Sequence, residues 1–135
     1  MKHVLIPMLF VCTLFSTAIN AQNTRNNMEN KKTYSAEIIR YNISADQHQN
    51  FEQAYTNAGK HLQSSPYCLG YQLIHGKEEP DNYIVIIHWT SVDDHLNGFR
   101  KSADFMPFFN QVKPFFNSIK EMKHYELTPA EWHKE

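Results

Sequence analysis

The segment that most constrains the fold is residues 83–89 (YIVIIHW), a run of aliphatic, β-branched and aromatic residues interrupted by one histidine. Such a run is typical of a strand that is buried on both of its faces. Residues 67–75 (YCLGYQLIH) also predict a strand, and residues 76–82 between the two (GKEEPDN) are typical of a turn. The pattern therefore predicts an antiparallel hairpin.

The rest of the chain supplies two more strands and two helical segments. Residues 36–43 and 119–127 predict the first and fourth strands. The first helix is indicated by apolar residues at helical spacing, which are Phe51, Tyr55, Ala58 and Leu62. A second, split helix is indicated by a further helical piece over residues 103–116 and, before it, by Val92, Leu96 and Phe99. The order β-α-β-β-α-β predicts an α+β, ferredoxin-like fold, in which an antiparallel four-stranded sheet carries its helices on one face.

Helices on one face leave the other face of the sheet uncovered. Side chains alternate along a strand, so Ile84, Ile86 and His88 must share one face, and the residues between them must share the other. Both sets are largely apolar, and the uncovered set needs a partner. We predict a homodimer in which two sheets pack against each other about a two-fold axis.

The N-terminus has the three parts of a secretory signal peptide: a basic start at Lys2, an apolar segment over residues 4–19, and the small residue Ala21 before the cleavage site. The apolar segment is shorter than the ~20 residues that span a bilayer. This favours cleavage over the alternatives, a retained membrane anchor or a lipoprotein lipidated at Cys12. We predict a signal peptide over residues 1–21, a flexible polar linker over residues 22–34, a domain over residues 35–128 and a C-terminal tail over residues 129–135. The protein would be exported, periplasmic or secreted, with no stable membrane anchor after cleavage.

Composition argues against several other functions. Loss of Lys2 with the signal peptide leaves 12 basic against 14 acidic side chains, without the basic cluster that nucleic acid binding requires. Cys68 is then the single cysteine, so an internal disulfide cannot form. Five histidines show no metal-ligand spacing, and we expect solvated helix and tail positions and no metal site for them: His48, His61, His95, His124 and His133.

Four features in order along residues 36–127 resemble the antibiotic biosynthesis monooxygenase (ABM) family. They are the first strand and helix with Phe51 and Tyr55, the segment over residues 66–71 (PYCLGY), the segment over residues 79–91 in which EPD leads into a strand ending at Trp89, and the segment over residues 96–109. The resemblance implies a dimeric α/β barrel with a cavity between helices and sheet in each protomer. Several members oxygenate polyphenolic or quinol-like substrates without metal, flavin or haem, so the resemblance implies that no cofactor is needed.

The resemblance also suggests which residues would surround such a cavity. Trp89 occupies the family's tryptophan position and can stack on a flat ligand, and the phenols of Tyr41 and Tyr71 can orient a hydroxylated substrate. An apolar wall would be formed by Phe99, Phe105 and Phe109. The candidate catalytic base for a phenolic proton is His75, which shares its strand parity with Tyr71. For every one of these residues, a structural role in the core is the alternative.

This sequence departs from the family at the second helical segment. Many members have histidines there, at positions where this chain has Phe99 and Asp104, and the histidine of haem-degrading relatives is replaced by residues 109–111 (FNQ). Two functions therefore stay open. One is an exported ABM monooxygenase that acts on a small aromatic molecule, phenolic or quinol-like. The other is a non-catalytic small-ligand-binding or stress-related dimer of the same fold.

Overall fold

The computed structural model describes residues 34–132 and residue 134. The predicted signal peptide, and the predicted linker up to its last residue, lie outside the described residues. The described elements belong to one compact unit within residues 32–135. None of the helices described in it combines the length and the apolar character that crossing a bilayer would require.

The described part of the chain contains four strands and two α-helices in the order β-α-β-β-α-β. They are β1 (Ser35–Asn42), α1 (His48–Ser64), β2 (Cys68–His75), β3 (Asn82–Trp89), α2 (Phe105–Val112) and β4 (Ile119–Glu126). Short 3₁₀ turns cover Ala45–Gln47, Phe99–Lys101 and Lys113–Ser118, and a π-helical turn covers Asp94–Gly98. The strands form one sheet in the order β2-β3-β1-β4, with all neighbours antiparallel. This confirms the α+β, ferredoxin-like prediction.

Helix α1 covers the sheet with the face that the sequence predicts. Its buried residues include the four at helical spacing, each at most 1% exposed: Phe51, Tyr55, Ala58 and Leu62. These side chains pack with the inward residues of β1 and β3 into a single core. Removal of this much apolar surface from water is the main favourable contribution to folding.

Strand β3 shows how the two faces of the sheet differ. Every second side chain, from Tyr83 to Trp89, is at most 1% exposed because it lies under the helices. The alternating residues Ile84, Ile86 and His88 are half-buried on the open face. The alternation of faces is therefore as predicted, but within one protomer only the helix-covered face of β3 is fully buried.

Strand β1 lies in the middle of the sheet and carries a carboxylate on its helix-covered face. Glu37 has the same parity as Ile39 and Tyr41, and all three are buried. The antiparallel register of β1 with β4 places His124 directly opposite Glu37. Opposite residues in antiparallel strands point to the same face, so this register directs both side chains toward the helices.

The first piece of the second helical segment does not have the predicted phase. Val92 and Leu96, predicted to face inward, are 39% and 40% exposed, whereas Phe99 is buried as predicted and His95 is buried against prediction. The reason is the π-helical turn, which inserts one extra residue per turn and rotates the chain relative to a regular α-helix. Gly98 allows this turn to lie against the Tyr67 ring, since a Cβ there would be 2.8 Å from the ring carbons.

Candidate functional site

A narrow cavity of about 60 Å³ lies between the helices and the helix-covered face of the sheet. Its walls are mostly aromatic and aliphatic, and are formed by Ile39, Tyr41, Tyr55, Ile87, Trp89, Phe99, Phe105, Phe108, Phe109, Val112, Phe116, Ile119 and Met122. A carboxyl group, an imidazole and a guanidinium also line it, from Glu37, His95 and Arg100. The mouth is marked by Phe116 and Met122, because these lining residues are 53% and 37% exposed.

Glu37 is the buried acid of the cavity, with 3% of its surface exposed. The indole Nε1–H of Trp89 donates a hydrogen bond to Glu37 Oε2 at 3.1 Å. Burial raises the pKa of the Glu37 carboxyl, and the Trp89 hydrogen bond and the charge of Arg100 oppose that rise. An acid in this position costs free energy unless its oxygens are paired, and Trp89 supplies one of the pairings.

His95 is the second ionisable group, and it is held from two sides. Its ring stacks on Trp89 with a centroid distance of 4.3 Å and an interplanar angle of 4°. Its Nδ1 lies 2.7 Å from Nε2 of His124 and 3.7 Å from Oε2 of Glu37. Nδ1 is therefore held by its neighbours, and Nε2 makes no hydrogen bond to the described residues.

Burial lowers the pKa of both histidines. The pKa of His95 falls to about 3, first through burial and then through the charges of Arg100 and His124. The pKa of His124 is also lowered, by burial and then by Arg100. Both imidazoles are therefore neutral near pH 7, and the short contact between them is a hydrogen bond in which one ring N–H donates to the other ring's lone pair.

A pair of phenols lies elsewhere on the cavity wall. The Tyr41 and Tyr55 hydroxyls are 2.7 Å apart and buried. Burial raises the pKa of Tyr41 to about 12, and burial together with Tyr41 raises the pKa of Tyr55 well above its usual value. Both groups therefore stay protonated over the physiological range and can act only as hydrogen-bond partners.

Five of the residues singled out from the sequence line the cavity: Tyr41, Trp89, Phe99, Phe105 and Phe109. Tyr71 does not line it, since its hydroxyl donates to the backbone oxygen of Tyr55 at 3.3 Å. His75 is also elsewhere, with its side chain 42% exposed, its ring stacked on Tyr83 and its Nε2 2.6 Å from the Pro80 carbonyl oxygen. His75 is therefore not among the residues that line this cavity.

The sequence patterns did not reveal the carboxyl and imidazole groups that meet in the cavity wall. The expectation that His95 and His124 are solvated is wrong: His95 is 4% exposed, and His124 is half-buried against it. The expectation that they form no metal site stays a prediction, and His95, His124 and Glu37 each offer one possible ligand atom within 4.8 Å of the others. Glu37 did give a signal, because it has the strand parity of Ile39 and Tyr41. The histidines gave none, since their meeting depends on the π-helical turn and on the β1–β4 register.

A wider depression of about 410 Å³ shares Tyr41 with this cavity and is also lined by Arg40, Ile74, Gly76, Glu78, Glu79, Asn82, Tyr83, Ile84 and Lys120. Ile74 and Ile84 belong to the open side of the sheet, and the lining includes none of Trp89, His95 and Glu37. The smaller cavity is the better candidate site, because Trp89, His95 and Glu37 meet there beneath a largely aromatic wall.

Comparison with known proteins places β1, β2, β3 and both α-helices up to residue 111 within one protein family. The family described as antibiotic biosynthesis monooxygenase matches residues 35–111. The uncharacterized protein YczJ of Bacillus subtilis (strain 168) is 23% identical over 78 residues, which cover 58% of this chain and 82% of YczJ. A crystal structure from Bordetella bronchiseptica, assigned to the antibiotic biosynthesis monooxygenases, is 25% identical with a TM-score of 0.63, covering 71% of this chain and 98% of its own. SnoaB from Streptomyces nogalater, a cofactor-independent oxygenase, shares the fold at 15% identity and a TM-score of 0.55, covering 76% and 99%.

Proposed function

This chain belongs to the antibiotic biosynthesis monooxygenase family, whose model matches more than half of it, and we propose that it is an exported, cofactor-independent monooxygenase of a small phenolic or quinol-like compound. The observation that carries the proposal is the aromatic cavity with a neutral, buried imidazole in its wall. SnoaB, which shares the fold, is a cofactor-independent oxygenase, and this supports chemistry in which the substrate supplies the reactivity.

His95 is the proton acceptor in this proposal. If its Nδ1–H donates to Nε2 of His124, its own Nε2 carries a lone pair that a substrate hydroxyl in the cavity can reach. With a pKa of about 3 the ring is unprotonated and only weakly basic while the cavity is empty, so the negative charge that develops on the substrate must raise this pKa as the proton moves. After transfer, the proton is retained because the imidazolium lies beside the new phenolate and 3.7 Å from the Glu37 carboxyl.

The phenolate then reacts with O₂ directly. For a simple phenol, one oxygen atom enters a ring carbon, that carbon and the hydroxyl lose their hydrogens, and the products are a quinone and water. The substrate supplies all the electrons, so the protein needs only to bind it, remove the proton and exclude competing water. Arg100 lines the same cavity, and its guanidinium would stabilise the anions that form along this path.

The volume of the cavity limits the substrate. A space of about 60 Å³ is smaller than most ligand pockets, which hold roughly 300–1,000 Å³. A single aromatic ring is therefore the largest guest we propose, and Phe116 and Met122 at the mouth must turn aside to admit it. The small cavity volume also favours the second candidate function, a non-catalytic or stress-related dimer that binds a small aromatic molecule. In that case aromatic side chains would fill the cavity when no ligand is bound.

We also propose that the protein is a homodimer joined through the open face of the sheet. The face presents partly exposed aliphatic side chains, which are Ile38, Ile74, Ile84 and Ile86. Burial of such a patch against its own copy removes apolar surface from water on both protomers. Sedimentation velocity should show a dimer at micromolar concentration, and Ile86→Lys should shift it to monomer. A wild-type monomer would remove this part of the proposal.

Oxygen consumption tests the catalytic step. An oxygen electrode would be used with the purified protein and a panel of single-ring phenols and hydroquinones, and we expect protein-dependent O₂ uptake with at least one. His95→Gln should slow it by about 10²–10⁴-fold, the usual effect of removing a general base. His75→Gln is the matched control and should leave the rate unchanged.

The outcomes separate the two candidate functions. Saturable thermal stabilisation by a phenol without O₂ uptake would favour the binding protein. Neither uptake nor stabilisation with any member of the panel would refute both. Export has its own test: N-terminal sequencing of the protein recovered outside the cytoplasm should begin at Gln22.

A further inference from the structure

We propose that Glu37, His95 and His124 form a binding site for a divalent transition metal ion of the Zn²⁺ type. The three side chains come from β1, the π-helical turn and β4, and each offers one ligand atom within 4.8 Å of the others. The inference rests on this geometry alone and does not depend on the proposed monooxygenase function.

The donor set is the one such ions prefer. Two imidazoles and one carboxylate form the three protein ligands of many zinc enzymes, and the same combination holds non-haem iron, with further positions left open for water or substrate. Here the open position would face the cavity, since Glu37 and His95 both line it. A water molecule or a phenolate oxygen would complete the coordination.

The observed distances require only a small adjustment. Ligand atoms about 2.0–2.1 Å from a tetrahedral ion lie about 3.3–3.4 Å from one another. The separation of His95 Nδ1 and Glu37 Oε2 is 3.7 Å, already near that value. The separation of His95 Nδ1 and His124 Nε2 is 2.7 Å, so the metal must replace one hydrogen bond and move the rings apart by less than an ångström.

The surroundings of the ligands are suited to orienting them. Trp89 donates to Oε2 of Glu37 and stacks on the His95 ring. Such contacts to the ligands usually fix their direction, and their loss typically lowers metal affinity by about 10–100-fold. Arg100 acts in the opposite sense, because its positive charge is felt by all three ligands. We therefore expect Arg100→Gln to bind the metal more tightly than the unaltered protein does.

Cobalt binding provides the direct test. Untagged protein, treated with chelator and then dialysed, would be titrated with Co²⁺, whose visible absorption reports imidazole and carboxylate coordination. We expect one Co²⁺ per chain, displaced by Zn²⁺, with an upward shift of the melting temperature. His124→Gln should abolish the absorption band. His61→Gln is the matched control, because His61 lies on α1 away from the site, and it should retain the band.

Glu37→Gln and His124→Gln each remove one proposed ligand and test the metal site separately. If Glu37→Gln does not fold, His124→Gln still tests the metal site, because His124 is half-buried on the edge strand β4. Far-ultraviolet circular dichroism would show whether the His124→Gln protein is folded. Absence of a Co²⁺ spectrum, or a spectrum that survives His124→Gln, would overturn the metal site. If no metal binds but phenol-dependent O₂ uptake is observed, only the metal site is refuted. If metal binds but no O₂ uptake is observed, only the proposed monooxygenase function is refuted.

Discussion

Replacement of Gly59 by alanine tests how Tyr71 is placed. Gly59 is buried in α1, and a Cβ there would lie 2.5 Å from Cζ of Tyr71 and closer still to its Oη. Atoms cannot approach so closely, so the Tyr71 ring would have to move. It would then lose the hydrogen bond from its hydroxyl to the backbone oxygen of Tyr55, and its packing against the core.

Three contributions set the size of the effect. Alanine is favoured over glycine inside a helix by about 0.8–1.0 kcal/mol. The lost hydrogen bond costs about 0.5–1.5 kcal/mol, and crowding and repacking cost about 1–3 kcal/mol. Because the two costs together exceed the gain, Gly59→Ala should lower the free energy of unfolding by about 1–3 kcal/mol.

Urea unfolding at one fixed protein concentration measures this, and the Tyr71→Ala background supplies the control. With the ring removed, only the helix preference is left, and Gly59→Ala should stabilise by about 1 kcal/mol. The sign of the effect therefore reverses between the two backgrounds. If Gly59→Ala stabilises the protein even with Tyr71 present, the phenol does not lie on α1, and the assignment of Tyr71 to helix packing is wrong.

Three further predictions follow from the site. Trp89→Phe leaves a buried oxygen of Glu37 without its donor and should lower the free energy of unfolding in urea by about 2–3 kcal/mol. Trp132→Phe is the control and should have no effect, because Trp132 is 80% exposed. Equal effects of the two substitutions would contradict the role of the Trp89–Glu37 hydrogen bond. The pKa of Tyr41 is about 12 in the folded protein and roughly 10 in the unfolded chain, so its contribution to stability is complete below pH 10 and is lost as the pH rises toward 12. Between pH 9 and pH 11 the free energy of unfolding of Tyr41→Phe should therefore fall by about 1 kcal/mol less than that of the unaltered protein. Equal falls in the two proteins would refute this. Zn²⁺ should inhibit phenol-dependent O₂ uptake, because a metal on Nδ1 of His95 leaves the proton on Nε2 and so removes the proton acceptor. His124→Gln should resist this inhibition by Zn²⁺. Faster uptake with Zn²⁺ would contradict the metal-free mechanism.

The architecture was readable from the sequence because it depends on local periodicity. The alternation along β3 and the spacing of Phe51, Tyr55, Ala58 and Leu62 each report which side chains face the core, and the structure confirms both patterns. Element order then leaves few ways to arrange four strands and two helical layers. Such signals survive in a single sequence because burial of apolar side chains is the largest favourable contribution to folding.

The phase of the second helical segment was not readable in the same way. Its apolar residues fit a regular α-helix with Val92 and Leu96 inward, yet the chain makes a π-helical turn that brings His95 inward instead. In this turn Gly98 lies against the ring of Tyr67, a residue in a different part of the fold, with no room for a Cβ. Local propensity does not contain this information, because the competing arrangement is stabilised by a tertiary contact.

The cluster of Glu37, His95 and His124 could not be predicted from the sequence, because it too depends on tertiary structure. The burial parity of Glu37 was the one sequence signal for it, and the same signal can be sought in other chains. Glu37, His95 and His124 belong to elements that meet only through the β1–β4 register and the π-helical turn, so no spacing rule finds them. Glu37 alone was visible, as an acid with the parity of buried strand residues. A charged residue on an apolar face conflicts with folding unless a partner is brought to it, and such conflicts are expected at functional sites. In this chain the partners of that acid are a tryptophan donor and a histidine pair, which is why the acid locates the site better than any histidine does.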